Sequence, residues 1–444
     1  MNHIQLSDHF NYPKLLRFVA PSVIMMIFTS IYGVVDGFFV SNYVGKTPFA
    51  ALNLIYPFLM LLGALGFMMG TGGTAIVARK LGEDRKKEAN AAFSMLVEAT
   101  VIGGVILTAG GFLVLRPIAR WMGAEGAMLE DCVLYGGILL LSLTAFMLQN
   151  LFQSFFVTAE EPKLGLWVMI AAGVTNMVLD ALFIAVFQWG LAGAAAASAL
   201  SQVVGGVLPL GYFLSGKNPV LRLERAKLDR AVLGAACING SSELMTNISM
   251  SLVNILYNFQ LMSLAGEDGV AAYGVIMYVN FVFIAIFIGY SLGSAPIISY
   301  HYGAQNHQEM KNLFRKSVVL VTITGAAMIL ISELLARPLT ALFVGYDQQL
   351  LELTCRGFMI YALSFLCTGA NIFGSAFFTA LGDGLVSALI SFLRTLLFQI
   401  VAVMALPVLL GVDGIWLAIV AAELAAMLVT GVFLVAKRKK YHYI

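Results

Sequence analysis

Twelve long apolar runs, each about one bilayer crossing in length, take up almost the whole chain. A helix needs roughly 20 apolar residues to cross the hydrocarbon core. The runs begin near Leu16, Ala50, Ala91, Cys132, Leu166 and Gly193, then near Leu233, Ala271, Val318, Thr354, Val386 and Gly414. Lipid offers no partner to backbone N–H and C=O groups, so only helices or a closed barrel can span it. A barrel would show short alternating strands; these long runs predict an all-α polytopic membrane protein of twelve transmembrane helices. Only 11% of the residues are charged, against about 25% in ordinary soluble chains. No polar stretch is long enough to hide a water-exposed domain. The opening, Met1 to Lys14, lacks the basic-then-apolar pattern of a signal peptide, so the first run reads as a retained helix.

The basic residues fall on one side. With the N-terminus inside, the inner segments carry twenty Lys and Arg, including Arg79 to Lys87, Lys217 to Arg230 and Lys437 to Lys440. The outer segments carry five, Lys46, Arg116, Arg120, Arg337 and Arg356, and Arg394 lies within a run. Lys/Arg bias sets orientation, so both termini are expected in the cytoplasm, with the chain multi-pass in the inner (plasma) membrane. The net charge of +2 is spread over many loops and gives no basic face for nucleic acid. Cys132, Cys237, Cys355 and Cys367 show no disulfide or metal spacing and read as small buried hydrophobes.

The sequence also repeats itself. Gly45 to Ile55 (GKTPFAALNLI) matches Gly266 to Ile276 (GEDGVAAYGVI), a shift of 221 residues. The same shift pairs Gly72 with Gly293, Gly82 with Gly303, Arg116-Pro117 with Arg337-Pro338, and Gly190 and Gly193 with Gly411 and Gly414. A constant shift over almost the whole chain marks a duplication. Six spans per copy is even, so the copies are parallel and related by an axis along the membrane normal. The expected layout is an N-terminal six-helix lobe (1–214), a cytoplasmic linker (215–232) and a C-terminal six-helix lobe (233–444). Two lobes facing across an axis enclose a cavity, and rocking them gives alternating access, so transport is the favoured reading and a monomer the expected state.

Charges inside a membrane cost at least ~2.5–3.5 kcal/mol and mark candidate functional groups. Asp36 stands in the first run and Asp180 in the fifth, with Asn176 one turn before Asp180 on the same helix face. Arg17 to Asp36 and Lys163 to Asp180 span roughly 28 and 26 Å at 1.5 Å per residue. The acids therefore lie at similar depth and can share a pocket. Two acids and an amide in low dielectric can hold a proton, or ligate sodium through their oxygens; structural hydrogen bonding is the alternative. Arg394 and Glu423 are expected to neutralise each other, Glu98 to be structural or at a cavity edge, and Glu243, near the start of the seventh run, to line a substrate path. Pro21 removes a backbone hydrogen bond and permits a bend below Asp36.

These features together resemble the multidrug and toxic compound extrusion (MATE) family. So do GTGGTAIVARKLGEDR (Gly70–Arg85), its echo SLGSAPIISYHYGAQN (Ser291–Asn306) and FFTALGDG (Phe377–Gly384). The resemblance implies two pseudo-twofold-related bundles that export organic, often cationic and amphipathic compounds against proton or sodium entry, with no other cofactor. It implies a first-lobe cation site of Asp36, Asn176, Asp180 and Ser198, supporting roles for Tyr32 and Tyr135, and a bend at Pro21. Acids deep in the seventh and tenth spans, present in one branch, are missing here, and the branch resembled is that of Gram-positive-type drug exporters. Under the shift of 221, Asp36, Asn176, Asp180 and Ser198 pair with Tyr257, Leu397, Val401 and Ile419, so coupling is expected in the first lobe alone. A lipid-linked precursor flippase would need several cavity arginines, and only Arg394 is intramembrane. An uptake symporter or a channel remains as a further alternative. An enzyme would need a catalytic constellation at membrane depth; His3, His9, His301, His307 and His442 all read as lying in loops or tails.

Overall fold

A computed structural model describes residues 4–443, apart from the side chains at 34, 37, 38, 41, 42 and 46. It contains helices and no strand among those residues. His3 lies outside them.

In the first half, α1 is Tyr12–Phe39 with a π-helical turn at Val40–Val44, α2 Lys46–Gly82, α3 Lys86–Trp121 and α4 Gly126–Thr158. Next come α5, Pro162–Val186 with π geometry from Ala181, and α6, Gly190–Leu214. Helical hydrogen bonding then runs from Arg230 to Gly303, 74 residues, about 111 Å at 1.5 Å each and far beyond one bilayer. It is two spans. Gly266 breaks it at φ 63°, ψ −151°, a left-handed conformation that a glycine adopts without a Cβ penalty. Tyr257 and Tyr273 then stack at 5.0 Å, although sixteen residues of straight helix would hold them about 24 Å apart. The chain has reversed, giving α7 (230–265) and α8 (267–303). The remaining spans are α9 His307–Val344, α10 Gln348–Ala362 with Phe365–Ala380 bent by 47°, α11 Gly384–Leu410 and α12 Val412–Tyr441. That makes twelve.

Several helices outrun the apolar stretches that announce them. α3 has 36 residues, about 54 Å against a ~30 Å core, so its ends stand in the interfaces. α7 begins at Arg230, just ahead of the apolar run near Leu233, and His301 is a buried residue of the last turn of α8 rather than a loop residue. Pro21 is buried within an unbroken α1. Beside it, an added Cβ on Gly289 would meet Val23 Cα at 2.5 Å and Ser22 O at 2.8 Å. α8 thus backs the proline turn at close range.

Within the first lobe, α2 packs on α3 and α4, α4 on α6, and α5 on both α1 and α6; in the second, α9 packs on α10, and α11 and α10 on α12. The lobes join through α1 and α2 against α7 and α8. On the side where the termini lie, this join is main chain against main chain. A Cβ on Gly82 would strike Tyr300 O, and one on Gly303 would strike Arg79 O. Both pairs are related by the shift of 221. Deeper in, Gly72 abuts Ala236 as Gly293 abuts Val19. The twofold relation read from sequence is thus realised as matched glycine contacts, which suit lipid because helix association there rests on close van der Waals packing.

Two extended segments dress the terminus side. The linker after α6 is bonded to the first lobe: Arg222 N–H donates to Asn90 Oδ1 (3.1 Å) and Glu224 N–H to Ser94 Oγ (2.8 Å). The strap before α1 reaches both lobes. Leu6 N–H donates to Glu160 Oε1 (2.7 Å), while Glu309 of α9 accepts from Phe10 N–H (2.9 Å), His9 Nδ1 (2.6 Å) and Asn312 Nδ2 (2.8 Å).

Two outcomes test this arrangement. Gly82→Val should force α2 and α8 apart at a cost of about 1–3 kcal/mol and speed labelling of Cys237, beside the Ala236 contact, by a membrane-impermeant maleimide; mass spectrometry of the labelled peptide reads it. Glu309→Ala leaves strap donors unpaired, each worth about 1–3 kcal/mol, and should expose residues 4–11 to protease while the spans stay protected.

Candidate functional site

The first-lobe polar cluster exists because α1 and α5 approach closely at a glycine. A Cβ on Gly173 would meet Phe28 Cε1 at 2.5 Å and Tyr32 Cδ1 at 3.1 Å. Asn176 and Asp180 follow Gly173 along α5 at helical spacing, and both are buried. Asp36 follows Tyr32 by one turn on α1. The close approach therefore brings the carboxyl groups of Asp36 and Asp180 within hydrogen-bonding reach of each other. Both oxygens of Asp180, Oδ1 of Asp36 and Oδ1 of Asn176 are buried with no donor. Four buried acceptors on two neighbouring helices thus lack a donor.

Around this centre, Asn176 Nδ2 donates to Ser198 Oγ on α6 at 3.4 Å, and the Tyr135 side chain of α4 is buried near Ser198. Ser201 Oγ donates to Ala172 O at 2.8 Å and holds α6 against α5. Tyr32 stands within electrostatic range of Asp36. So does Tyr56 of α2, a residue the sequence reading did not single out. Nothing in its spacing marks it, and it is 46% exposed; only its place beside Asp36 does. Each acid lies next to a π-helical turn, Val40–Val44 above Asp36 and Ala181–Val186 directly after Asp180. Such turns often occur at functional sites. No cluster of three or more His, Cys, Asp or Glu side chains suited to a metal ion occurs among the described residues.

The second lobe fills the matching positions differently. Tyr257, which stands where Asp36 does, is buried and donates its hydroxyl to Gln399 Oε1 at 3.0 Å. Arg394 Nε bonds Glu423 Oε1 at 2.8 Å and Oε2 at 3.0 Å, and Asn371 Nδ2 donates to the same carboxylate at 2.7 Å. Thr430 Oγ1 donates on to Asn371 Oδ1 (3.1 Å). Here the charges are paired. Glu243 is half-buried within electrostatic range of Arg394 and lies about 20 Å along α7 from Arg230. Glu98 is exposed on α3.

Glu423→Ala should lower stability in detergent by about 3–5 kcal/mol, because it strands the Arg394 charge. Arg394→Met combined with Glu423→Leu should recover most of that loss; thermal unfolding of the purified variants measures both.

Comparison with known proteins bears on the family and the fold. The MatE family model matches twice, at residues 21–182 and 244–404, once in each half of the chain. The chain is 24% identical over 426 residues to a multidrug export protein MepA of Staphylococcus saprophyticus, covering 94% of this chain and 92% of that one. A MepA of Staphylococcus aureus is 23% identical over 423 residues with the same coverage. A crystal structure of MATE in complex with MaL6 superposes with a TM-score of 0.93 at 22% identity, over 100% of both chains. An outward-facing MATE-family transporter of the MOP superfamily gives 0.93 at 22%, over 100% of this chain and 99% of that one. A MOP-superfamily transporter from Pyrococcus furiosus gives 0.91 at 22%, over 99% of each. These likenesses establish the fold.

Proposed function

The chain belongs to the MatE family of membrane transporters, and from that premise we propose that it is a cation-coupled antiporter exporting organic, often cationic and amphipathic compounds by alternating access. The name of its MepA relatives, multidrug export protein, supports the direction and breadth of transport. The observation that carries the coupling is the meeting of Asp36 and Asp180 with four buried acceptor oxygens and no donor. Two carboxylates in contact in low dielectric cannot both stay bare anions, since burial and like charge each oppose it. A proton shared between them relieves that conflict. So does a sodium ion ligated by Asp36, Asp180 and Asn176, with Ser198 and Tyr135 ordering the amide and Tyr32 and Tyr56 closing the aromatic side.

In the cycle, the present conformation is closed at the terminus side by the glycine contacts of α2 with α8. With both termini in the cytoplasm of a plasma-membrane protein, it is the outward-facing member of the pair, and the molecule works as a monomer because both lobes are in one chain. Coupling resides in the first lobe, since Tyr257 and the paired Arg394–Glu423 leave the second without an open carboxylate pair. The same pairing leaves no free cavity arginine for an anionic lipid-linked headgroup, which weighs against a flippase. Glu243 remains to attract a cationic substrate to the cavity wall.

Asp36→Asn and Asp180→Asn should each abolish efflux of cationic dyes from cells or proteoliposomes while the protein stays folded in the membrane. Normal efflux by either variant would sink the coupling assignment. Running the same dye panel under separate proton and sodium gradients identifies the ion. Trans-acceleration by unlabelled substrate, expected for a carrier, would be missing from a channel.

A further inference from the structure

A groove of about 250 Å³ lies where α1 of the first lobe meets α8 and α9 of the second. Ala20 and Ile24 on α1 face Leu320 and Thr324 on α9, and Phe287 and Tyr290 of α8 form the floor. The Tyr290 hydroxyl is taken up by Ser317 Oγ at 2.7 Å, so the interior presents hydrocarbon and ring surface. Ile24 is 51% exposed, which leaves the groove open toward the bilayer. Its mouth on the terminus side is basic. Arg17 lies two turns before Ile24 on the same stripe of α1; it is exposed and has neither ion pair nor hydrogen bond among the described residues. Lys316 lies one turn before Leu320; its Nζ donates to Phe10 O at 2.6 Å, over the Tyr12 ring at 5.5 Å, and an ammonium has two further donors. The nearby acids are engaged, Asp8 with Lys14 at 2.8 Å and Glu309 with the strap.

We propose that this groove binds one acyl chain of an anionic phospholipid from the terminus-side leaflet, with the lipid phosphate seated between Arg17 and Lys316. Basic pockets between membrane helices recognise anionic headgroups in this way, and the apolar trough above matches a lipid tail. A cationic amphiphile of the class proposed as cargo would be repelled at this mouth, so the groove is a lipid site and not a cargo portal. Because the walls come from both lobes, the lipid bridges them next to the Gly289 contact. The inference does not depend on the export reading.

Native mass spectrometry of the purified full chain, given phosphatidylglycerol and phosphatidylcholine of identical acyl chains, tests it. The unmodified chain should retain one phosphatidylglycerol with a preference of about 25-fold, since each of the two basic residues contributes roughly fivefold. Arg17→Gln, a surface change, should cut that preference about fivefold. Ala20→Phe fills the trough and should remove the retained lipid of either headgroup; Thr324→Phe on the opposite wall serves if the first does not fold. Melting in detergent without added lipid checks folding of each. Equal retention of the two lipids by the unmodified chain would overturn the proposal, as would retention unchanged by filling the trough or by Arg17→Gln.

Discussion

Where Gly82 meets Tyr300 and Gly303 meets Arg79, helices from opposite halves of the chain touch backbone to backbone. In lipid there is no hydrophobic drive to press one helix on another, since tails are as apolar as leucine. What holds them is dispersion at short range, which grows as the axes approach and vanishes with a side chain in between. Glycine at both members of a symmetric pair satisfies that condition twice with one motif. Duplication made the arrangement easy to reach: a surface that fits its own copy needs no separately evolved partner.

The same duplication explains why chemistry and architecture part company. The interface glycines must match in both copies, because each copy is the other's partner. The interior of each lobe has no such obligation. In the first lobe α1 and α5 close on two carboxyl groups; in the second the corresponding space holds the Tyr257–Tyr273 stack and a guanidinium–carboxylate pair supported by Asn371 and Thr430. The first arrangement is left short of positive charge, the second is balanced. In the proposed function, an ion acts only in the first.

Much of this was legible in the sequence because the membrane simplifies the reading. Apolar run length gives the spans, and the shift of 221 gives the symmetry. Spacing of four puts Asn176 and Asp180 on one face, and equal depth lets Asp36 join them. Ser198 and Tyr135 came only with the family resemblance, since a serine among alanines on α6 carries no local signal. Tyr56 had none at all. Helix ends reach past the apolar runs, as α7 does at Arg230, because hydropathy reports apolar length and not the hydrogen-bond ladder. Pro21 is a different case. A proline weakens a helix locally, but whether it bends depends on what backs it, and here Gly289 lets α8 lie flush against that turn. The 47° bend of α10 has no proline or glycine at its break, Leu363–Ser364, so no sequence signal marks it.

The strap before α1 has a practical consequence. It is tied to Glu160 in one lobe and to Glu309 in the other, so it sits across the seam that must open if the lobes rock. The other end of the chain is fastened within a single lobe, Tyr441 to Asp383 (2.7 Å) and Tyr443 to Leu434 O (2.7 Å). If the lobes rock as proposed, a reporter or affinity handle attached ahead of the strap loads that joint. One attached after α12 stays with a single lobe, and it is the end from which the working protein is best watched.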